Sequence, residues 1–167
     1  MKQKITRNYL EILSINNLKE VQSPSTNYSI KILEPQDFQL NKFFYKHIGK
    51  KYQWLDRLNW SDENWINYVS NKNLSTYILN HKDDIAGYFE LIYHDSINEM
   101  EVAYFGILEE YFGKKLGGYL LSFAIKESFS IGAKRTWLHT CSLDHENALK
   151  NYLARGMKVF KTESLFR

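Results

Sequence analysis

A ten-residue segment rich in glycine and lysine carries the clearest chemical pattern in the sequence. Residues 109–118 are Glu-Glu-Tyr-Phe-Gly-Lys-Lys-Leu-Gly-Gly and lie between a predicted strand and a predicted helix. A helix begins with unpaired N–H groups and the positive end of its dipole, and glycine lets a ligand approach the backbone closely. The segment therefore predicts a phosphate or pyrophosphate site. The alternative is a glycine-rich turn followed by two solvated lysines, because the Walker and dinucleotide-binding spacings are absent.

Two glutamates lie on neighbouring predicted strands. Regular alternation places Glu101 on one face of its strand with Ala103, Phe105 and Ile107. A carboxylate on so apolar a face can act as a general base. The alternative is a solvated glutamate at a strand end. Glu90, on the preceding strand, is the second candidate for the base.

A third group of reactive side chains surrounds the end of a later strand. His139 and Cys141 share one face of that strand, and His145 opens the helix after it. One cysteine in so loose a spacing does not predict a metal site. A Cys141 nucleophile paired with histidine is one alternative, and core packing or helix capping is the other.

Hydrophobic periodicity predicts the elements that must position these groups. Before residue 70 it predicts strands over 7–15 and 28–33, a helix over 36–48, and a helix that begins at Ser61. Period-two segments then predict three antiparallel strands over 74–81, 85–94 and 99–108. The remaining elements are a helix over 117–131, a strand over 134–141, a helix N-capped by Asp144, and a strand over 157–166.

The order of these elements predicts the fold class. Strand 99–108, helix 117–131 and strand 134–141 form a β-α-β unit, and its two strands must be parallel. The other strands form hairpins, so the sheet is mixed and mostly antiparallel. The prediction is an α/β (α+β layered) architecture with helices on both faces.

Length and composition exclude several classes of protein. The 167 residues suffice for one domain with a buried core, and 44% hydrophobic residues exclude a disordered chain. The single cysteine excludes an internal disulfide, and no apolar segment has the length of a membrane span or a signal peptide. A cytoplasmic protein is expected. The net charge of +3 from scattered lysines does not predict nucleic-acid or membrane binding.

Two motifs in the second half resemble those of the GNAT superfamily of N-acetyltransferases. The loop Phe112-Gly-Lys-Lys-Leu-Gly117 is similar to the family's Arg/Gln-x-x-Gly-x-Gly/Ala, and Ala148-Leu-Lys-Asn-Tyr152-Leu-Ala-Arg-Gly156-Met is similar to its Ala-x-x-x-Tyr-x-x-x-Gly-Phe. Three further segments, 54–60, 103–106 and 139–145, resemble one bacterial group within the superfamily. The loop departs from the family pattern at Phe112, where Arg or Gln is usual, and at Lys115, where glycine is usual.

The resemblance implies a single GNAT-like domain with a splayed pair of parallel strands and an acetyl-coenzyme A-dependent activity without a metal. It makes Glu101 the base and Tyr152 the acid that protonates the leaving thiolate. Backbone N–H groups near Gly106, where glycine permits a bulge, would hold the oxyanion and pair with the pantetheine. The implied coenzyme-binding residues are Phe105, Gly106, Ile107, Leu108, Gly113, Lys114, Lys115, Leu116, Gly117, Gly118, His145 and Asn151.

The resemblance also divides the chain into acceptor-side elements over 1–73 and a coenzyme-binding core over 74–167. Trp54, Asp56 and Trp60 are the implied acceptor-binding residues, and aromatic rings with one acid suit a cationic or amphipathic amine. The alternatives are rings that pack the helices onto the sheet and an Asp56–Arg57 pair. The expected partner is a small-molecule or peptide amine, bound by a monomer or homodimer. A non-catalytic acyl-coenzyme A binding protein is the alternative function.

Overall fold

Seven strands form one mixed sheet, with two helices on each face. The structure is a computed structural model that describes residues 2–167. The strands are β1 (Lys4–Ile12), β2 (Tyr28–Ile32), β3 (Leu74–His81), β4 (Asp84–His94), β5 (Glu99–Ile107), β6 (Arg135–Cys141) and β7 (Lys158–Phe166). The helices are α1 (Phe38–Gly49), α2 (Asp62–Val69), α3 (Leu116–Ile131) and α4 (Asn147–Ala154). The predicted fold class is therefore confirmed.

The strand order is β2-β3-β4-β5-β6-β1-β7. The meander β3-β4-β5 and the parallel pair β5–β6 are as predicted. The first strand lies between the last two and runs antiparallel to both. It begins three residues earlier than predicted, at Lys4. Its first residues, Lys4, Ile5 and Thr6, pair with β7 through the backbone, which does not depend on their side chains.

The parallel strands β5 and β6 separate soon after they begin. They pair only where residues 99–101 of β5 lie beside residues 135–137 of β6. From Val102 onward, no strand of the described residues lies beside the edge of β5 that faces β6. The gap between these two strands is the predicted splay, and it passes through the middle of the sheet.

A bulge in β5 changes which face each side chain occupies. Tyr104 lies opposite Glu90, but Val102 lies opposite Leu91, so Ala103 is an additional residue. The bulge is therefore at Ala103, and its prediction at Gly106 was wrong. An additional residue reverses the alternation of side chains beyond it.

The reversal separates Glu101 from the apolar residues predicted to share its face. Met100 and Val102 before the bulge, and Phe105 and Ile107 after it, all pack into the core beneath α3. Glu101 alternates with Met100 and Val102 and lies on the opposite face, so the predicted grouping was wrong.

Local signals set most of the helix ends. Ser61 caps α2 through a capping box with Asn64, and Gly132 ends α3 with a φ of 111°. The predicted cap of α4 was wrong, because the helix begins at Asn147. Asp144 instead closes the turn after β6, where it accepts hydrogen bonds from the Thr140 hydroxyl (2.6 Å) and the Cys141 N–H (2.9 Å).

Two apolar cores flank the sheet, the larger beneath α3 and α4 and the smaller beneath α1. Within residues 2–167, none of the helices has both the length and the apolar character that crossing a membrane requires.

Candidate active site

A cavity of about 660 Å³ passes through the gap between β5 and β6 and reaches both faces of the sheet. Its α3 end is lined by Phe105, Ile107, Gly113, Lys115, Leu116, Gly117, Gly118, Asn151 and Tyr152. Its β1 end, on the face covered by α1, is lined by Arg7, Gln53, Trp54, Asp56, Arg57, Glu101, Tyr104, His139 and Arg167. The cavity therefore joins the glycine-rich loop to the side chains predicted for acid–base chemistry.

The start of α3 presents unpaired backbone N–H groups to this cavity. Lys115 is the N-cap residue, and in the described part of the chain, residues 2–167, no side chain caps the helix. The loop turns through two left-handed residues, Gly113 (φ 75°) and Lys115 (φ 61°). Glycine adopts this conformation without cost, whereas lysine does not. An uncapped helix start with the positive end of its dipole directed at a cavity can hold an anion.

The edge of β5 supplies a second set of backbone donors. Leu108 N–H donates to Ala86 O on the β4 side (2.8 Å), and Leu108 does not line the cavity. Because successive residues of a strand direct their N–H groups to opposite edges, those of Phe105 and Ile107 face the gap. Gly106 lines the cavity, but its N–H points toward β4. Four residues of this segment, 105–108, were predicted to contact the coenzyme. Of these, Phe105 and Ile107 offer a free backbone N–H group to a ligand.

Tyr152 lies at the middle of the cavity wall. Its side chain is buried, and its ring meets that of Phe105 edge to face at 6.2 Å. Within residues 2–167, no side chain or backbone group forms a hydrogen bond with its hydroxyl. Burial, with a smaller contribution from the Asp144 charge, raises the pKa of Tyr152 well above its ordinary value. The phenol is therefore protonated at neutral pH and can donate a proton or a hydrogen bond.

Glu101 lines the cavity at its β1 end. Its Oε1 atom lies 3.0 Å from Nε2 of His94, and the His94 ring stacks on Trp137 with 5.8 Å between ring centroids. The carboxylate is 19% exposed, so it is reachable from the cavity while His94 fixes its orientation. This arrangement suits a general base that passes a proton toward solvent.

Glu90, the second candidate for the base, is outside the cavity and completely buried. It accepts hydrogen bonds from Asn41 Nδ2 (2.8 Å), Arg57 Nη1 (3.2 Å) and the Tyr68 hydroxyl (2.7 Å). The Arg57 guanidinium also lies over the Tyr68 and Tyr104 rings, at 4.0 and 4.2 Å from their centroids. Its partners indicate that Glu90 holds α1 and α2 on the sheet.

The predicted acceptor residues separate into two groups. Trp54 and Asp56 line the β1 end of the cavity, whereas Trp60 does not and packs on Trp65 at 4.9 Å between ring centroids. Asp56 does not pair with Arg57; its nearest cation is Nη2 of Arg167, at 3.9 Å.

The histidines and the cysteine near the end of β6 also line the cavity. Burial, and secondly the charge of Arg7, lowers the pKa of His139, while burial raises the pKa of the Cys141 thiol. A protonated thiol is a poor nucleophile. His145 accepts a hydrogen bond from Asn147 N–H (3.0 Å) at Nδ1, and its ring meets Phe112 at 5.3 Å. Among residues 2–167, no three His, Cys, Asp or Glu side chains form a group that could bind a metal.

Two features of the site were not predicted. Lys114, expected in the loop site, does not line the cavity. Arg7 and Arg167 do line it, and nothing in their sequence context indicated this. They reach it only because β1 is inserted beside β6, with β7 on its other edge.

Comparison with solved structures supports the same fold. The chain is similar to a GCN5-related N-acetyltransferase from Sphaerobacter thermophilus (TM-score 0.72, 12% identity, 99% of this chain and 52% of that one). It is also similar to a GCN5-related N-acetyltransferase from Kribbella flavida (TM-score 0.66, 14% identity, 96% of this chain and 56% of that one). A third similar structure is an aminoglycoside acetyltransferase from an uncultured soil metagenomic sample, in complex with trehalose (TM-score 0.65, 10% identity, 80% of this chain and 90% of that one).

The chain spans between 52% and 62% of the length of the first three similar structures. A comparison with curated proteins found no match. The model of the acetyltransferase (GNAT) family matches residues 36–157, which include the loop, both parallel strands and Tyr152. The chain therefore belongs to the GNAT acetyltransferase family.

Proposed function

We propose that the protein is an N-acetyltransferase that moves an acetyl group from acetyl-coenzyme A to a primary amine of a small molecule or peptide by direct attack. The family generally uses acetyl-coenzyme A. The observation that carries the proposal is the single cavity, which joins the uncapped start of α3, the free edge of β5 and the Tyr152 hydroxyl.

The α3 end suits the donor. The N–H groups of Leu116, Gly117 and Gly118 would bind the pyrophosphate, with the Lys115 ammonium beside them. The free N–H groups of Phe105 and Ile107 would bind the pantetheine as an added strand. Asn151 belongs to the same surface, because a Cβ atom at Gly117 would lie 3.4 Å from its Nδ2 atom.

The reaction needs a proton removed and a proton supplied. An alkylamine has a pKa near about 10.4, so most of it is protonated at neutral pH. Glu101 would accept one proton from the ammonium form of the amine, whose nitrogen then forms a C–N bond with the thioester carbonyl carbon. The nitrogen releases its second proton as the tetrahedral intermediate collapses, which balances the proton given to the leaving thiolate. Backbone N–H groups of β5 would stabilise the oxyanion, and Tyr152 would protonate the thiolate as the C–S bond breaks.

The acceptor would enter from the β1 end of the cavity, where Trp54 and Glu101 are exposed to it. Similar structures include an aminoglycoside acetyltransferase in complex with sisomicin and a fungal glucosamine N-acetyltransferase region. Aminoglycosides and glucosamine are amines, in line with an amine acceptor here.

The test compares Tyr152→Phe with wild type in two assays. We expect unchanged calorimetric affinity for acetyl-coenzyme A, and thiol release with a panel of amines that falls by about 10²- to 10⁴-fold. Tyr28→Phe is the matched control, because Tyr28 stacks on His81 and does not line the cavity. Equal rates in Tyr152→Phe and wild type would remove Tyr152 from the mechanism.

The second candidate is a non-catalytic acyl-coenzyme A binding protein. Phe112 and Lys115 favour it, because they depart from the family's loop pattern. In that case acetyl-coenzyme A would bind, but no amine would increase thiol release above hydrolysis, and Tyr152→Phe would change neither measurement.

A further inference from the structure

Charged side chains at the β1 end of the cavity are paired, with one exception. Glu101 contacts His94 at 3.0 Å, Arg57 contacts Glu90 at 3.2 Å, and Asp56 lies 3.9 Å from Arg167. Arg7 also lines this end, but none of the ion pairs formed within residues 2–167 includes it. Its Nε atom is buried and has no hydrogen-bond partner.

Within residues 2–167, none of the acidic groups near Arg7 forms an ion pair with it, although its charge helps, after the hydrogen bond from Lys161, to lower the pKa of Glu163. Its cross-strand neighbours are Cys141 on β6 and Glu163 on β7. Glu163 is bonded to the Tyr9 hydroxyl at 3.0 Å and to Lys161 at 2.7 Å.

The two nearby titratable groups on the β6 side, Asp144 and His139, do not pair with Arg7 either. The Asp144 carboxylate accepts hydrogen bonds from Thr140 and the Cys141 N–H. The lowered pKa of His139 leaves that imidazole neutral at pH 7. Arg7 is thus a cation whose acidic neighbours are bound elsewhere.

An unpaired guanidinium in a cavity wall is a binding group for an oxyanion. A buried donor without a partner carries an unfavourable desolvation free energy, which a ligand that accepts its hydrogen bonds would remove. The planar N–H groups of arginine match the two oxygens of a carboxylate. Arg7 and Glu101 both line the β1 end of the cavity, so a ligand that fills this end lies against both.

We propose that the acceptor is a primary amine that also carries a carboxylate, with Arg7 binding the carboxylate while the amine lies at Glu101. The inference rests on the proposed function, since it names the substrate class of the same site. A polycationic amine such as sisomicin is disfavoured, because Arg7 would repel its additional charges.

Matched pairs of acceptors test the proposal. In each pair the second member has hydrogen in place of the carboxylate: 4-aminobutyrate and propylamine, phenylalanine and phenethylamine, histidine and histamine. With acetyl-coenzyme A and wild type, we expect kcat/KM to be about 10- to 100-fold higher for the better carboxylated acceptors than for their partners. Equal or better use of the decarboxylated amines, or sisomicin as the best acceptor, would overturn the proposal.

The variant Arg7→Gln tests the role of the side chain. We expect it to raise KM for the carboxylated acceptor by about 10- to 100-fold and to change kcat/KM for the decarboxylated partner by less than about threefold. Lys4→Gln, an exposed residue of the same strand, is the charge-matched control and should change neither. An equal loss for both members of a pair would mean that Arg7 only supports the fold.

Binding separates failure of this proposal from failure of the proposed function. If no amine releases thiol, the acetyltransferase proposal fails. The same acceptor pairs are then titrated calorimetrically into wild type and Arg7→Gln, each saturated with coenzyme A. Selective binding of the carboxylated member that is lost in Arg7→Gln supports the carboxylate site, and its absence overturns it.

Discussion

The two ends of the cavity are built in different ways. The α3 end uses backbone N–H groups of residues 113–118 and of the neighbouring strand β5. The β1 end uses side chains from the first strand, the connection between α1 and α2, strand β5 and the last residue of the chain. A site made from backbone depends on conformation and on space, whereas a site made from side chains depends on charge and identity. Substitutions at the two ends should therefore fail for different reasons.

Filling the α3 end should produce the largest effect. Gly117→Glu places a carboxylate among the amides that would bind the pyrophosphate, and its Cβ atom already contacts Asn151. We expect acetyl-coenzyme A binding to fall below detection in calorimetry, from bulk and like-charge repulsion together. Gly117→Ala is the control for bulk alone, because a Cβ atom at 3.4 Å is tolerated, and it should bind within about tenfold of wild type. Unchanged affinity of Gly117→Glu would contradict the assignment of the loop.

Glu101 and Glu90 lie on neighbouring strands, but we expect loss of the first to affect catalysis and loss of the second to affect stability. Glu101→Gln replaces the proposed base, an accessible carboxylate, with a neutral amide. We therefore expect kcat to fall by about 10²- to 10⁴-fold, with little change in stability. Glu90→Gln leaves the Arg57 guanidinium buried without its counter-charge, and removal of one partner of such a pair costs about 3–5 kcal/mol. The free energy of unfolding, measured with denaturant, and steady-state kinetics distinguish the two variants. A flat rate in Glu101→Gln would remove it from the mechanism.

The same division explains how much the sequence could predict. The loop at the α3 end is contiguous, so the glycine spacing and the β-α-β order predicted its place between β5 and α3, although Lys114 does not line the cavity. The β1 end depends on pairings between residues more than a hundred positions apart, such as Arg7 beside Cys141. No local pattern indicates that the first strand enters the sheet between the last two.

The bulge at Ala103 shows a different limit. Alternation correctly grouped the residues on each side of it but could not detect one additional residue. The position of the bulge follows from the pairing of β4 with β5, which fixes the register on both sides. As a result, the sequence predicted Glu101 as a base on an apolar face, whereas its carboxylate contacts His94.

Two substitutions at Lys115 distinguish the effect of its backbone conformation from the effect of its charge, and they should produce the smallest changes. Its left-handed conformation is unfavourable for a residue with a Cβ atom, by about 1–2 kcal/mol, and glycine removes that cost. Part of the gain is lost because glycine also increases the freedom of the unfolded chain, so Lys115→Gly should raise the free energy of unfolding by up to about 1 kcal/mol. Lys115→Ala removes the ammonium but keeps the unfavourable backbone, so it should not raise stability. If both variants bind acetyl-coenzyme A about equally and several-fold more weakly than wild type, the ammonium contributes to phosphate binding. If Lys115→Gly alone binds more tightly, the backbone conformation limits affinity, and the amides rather than the charge hold the pyrophosphate.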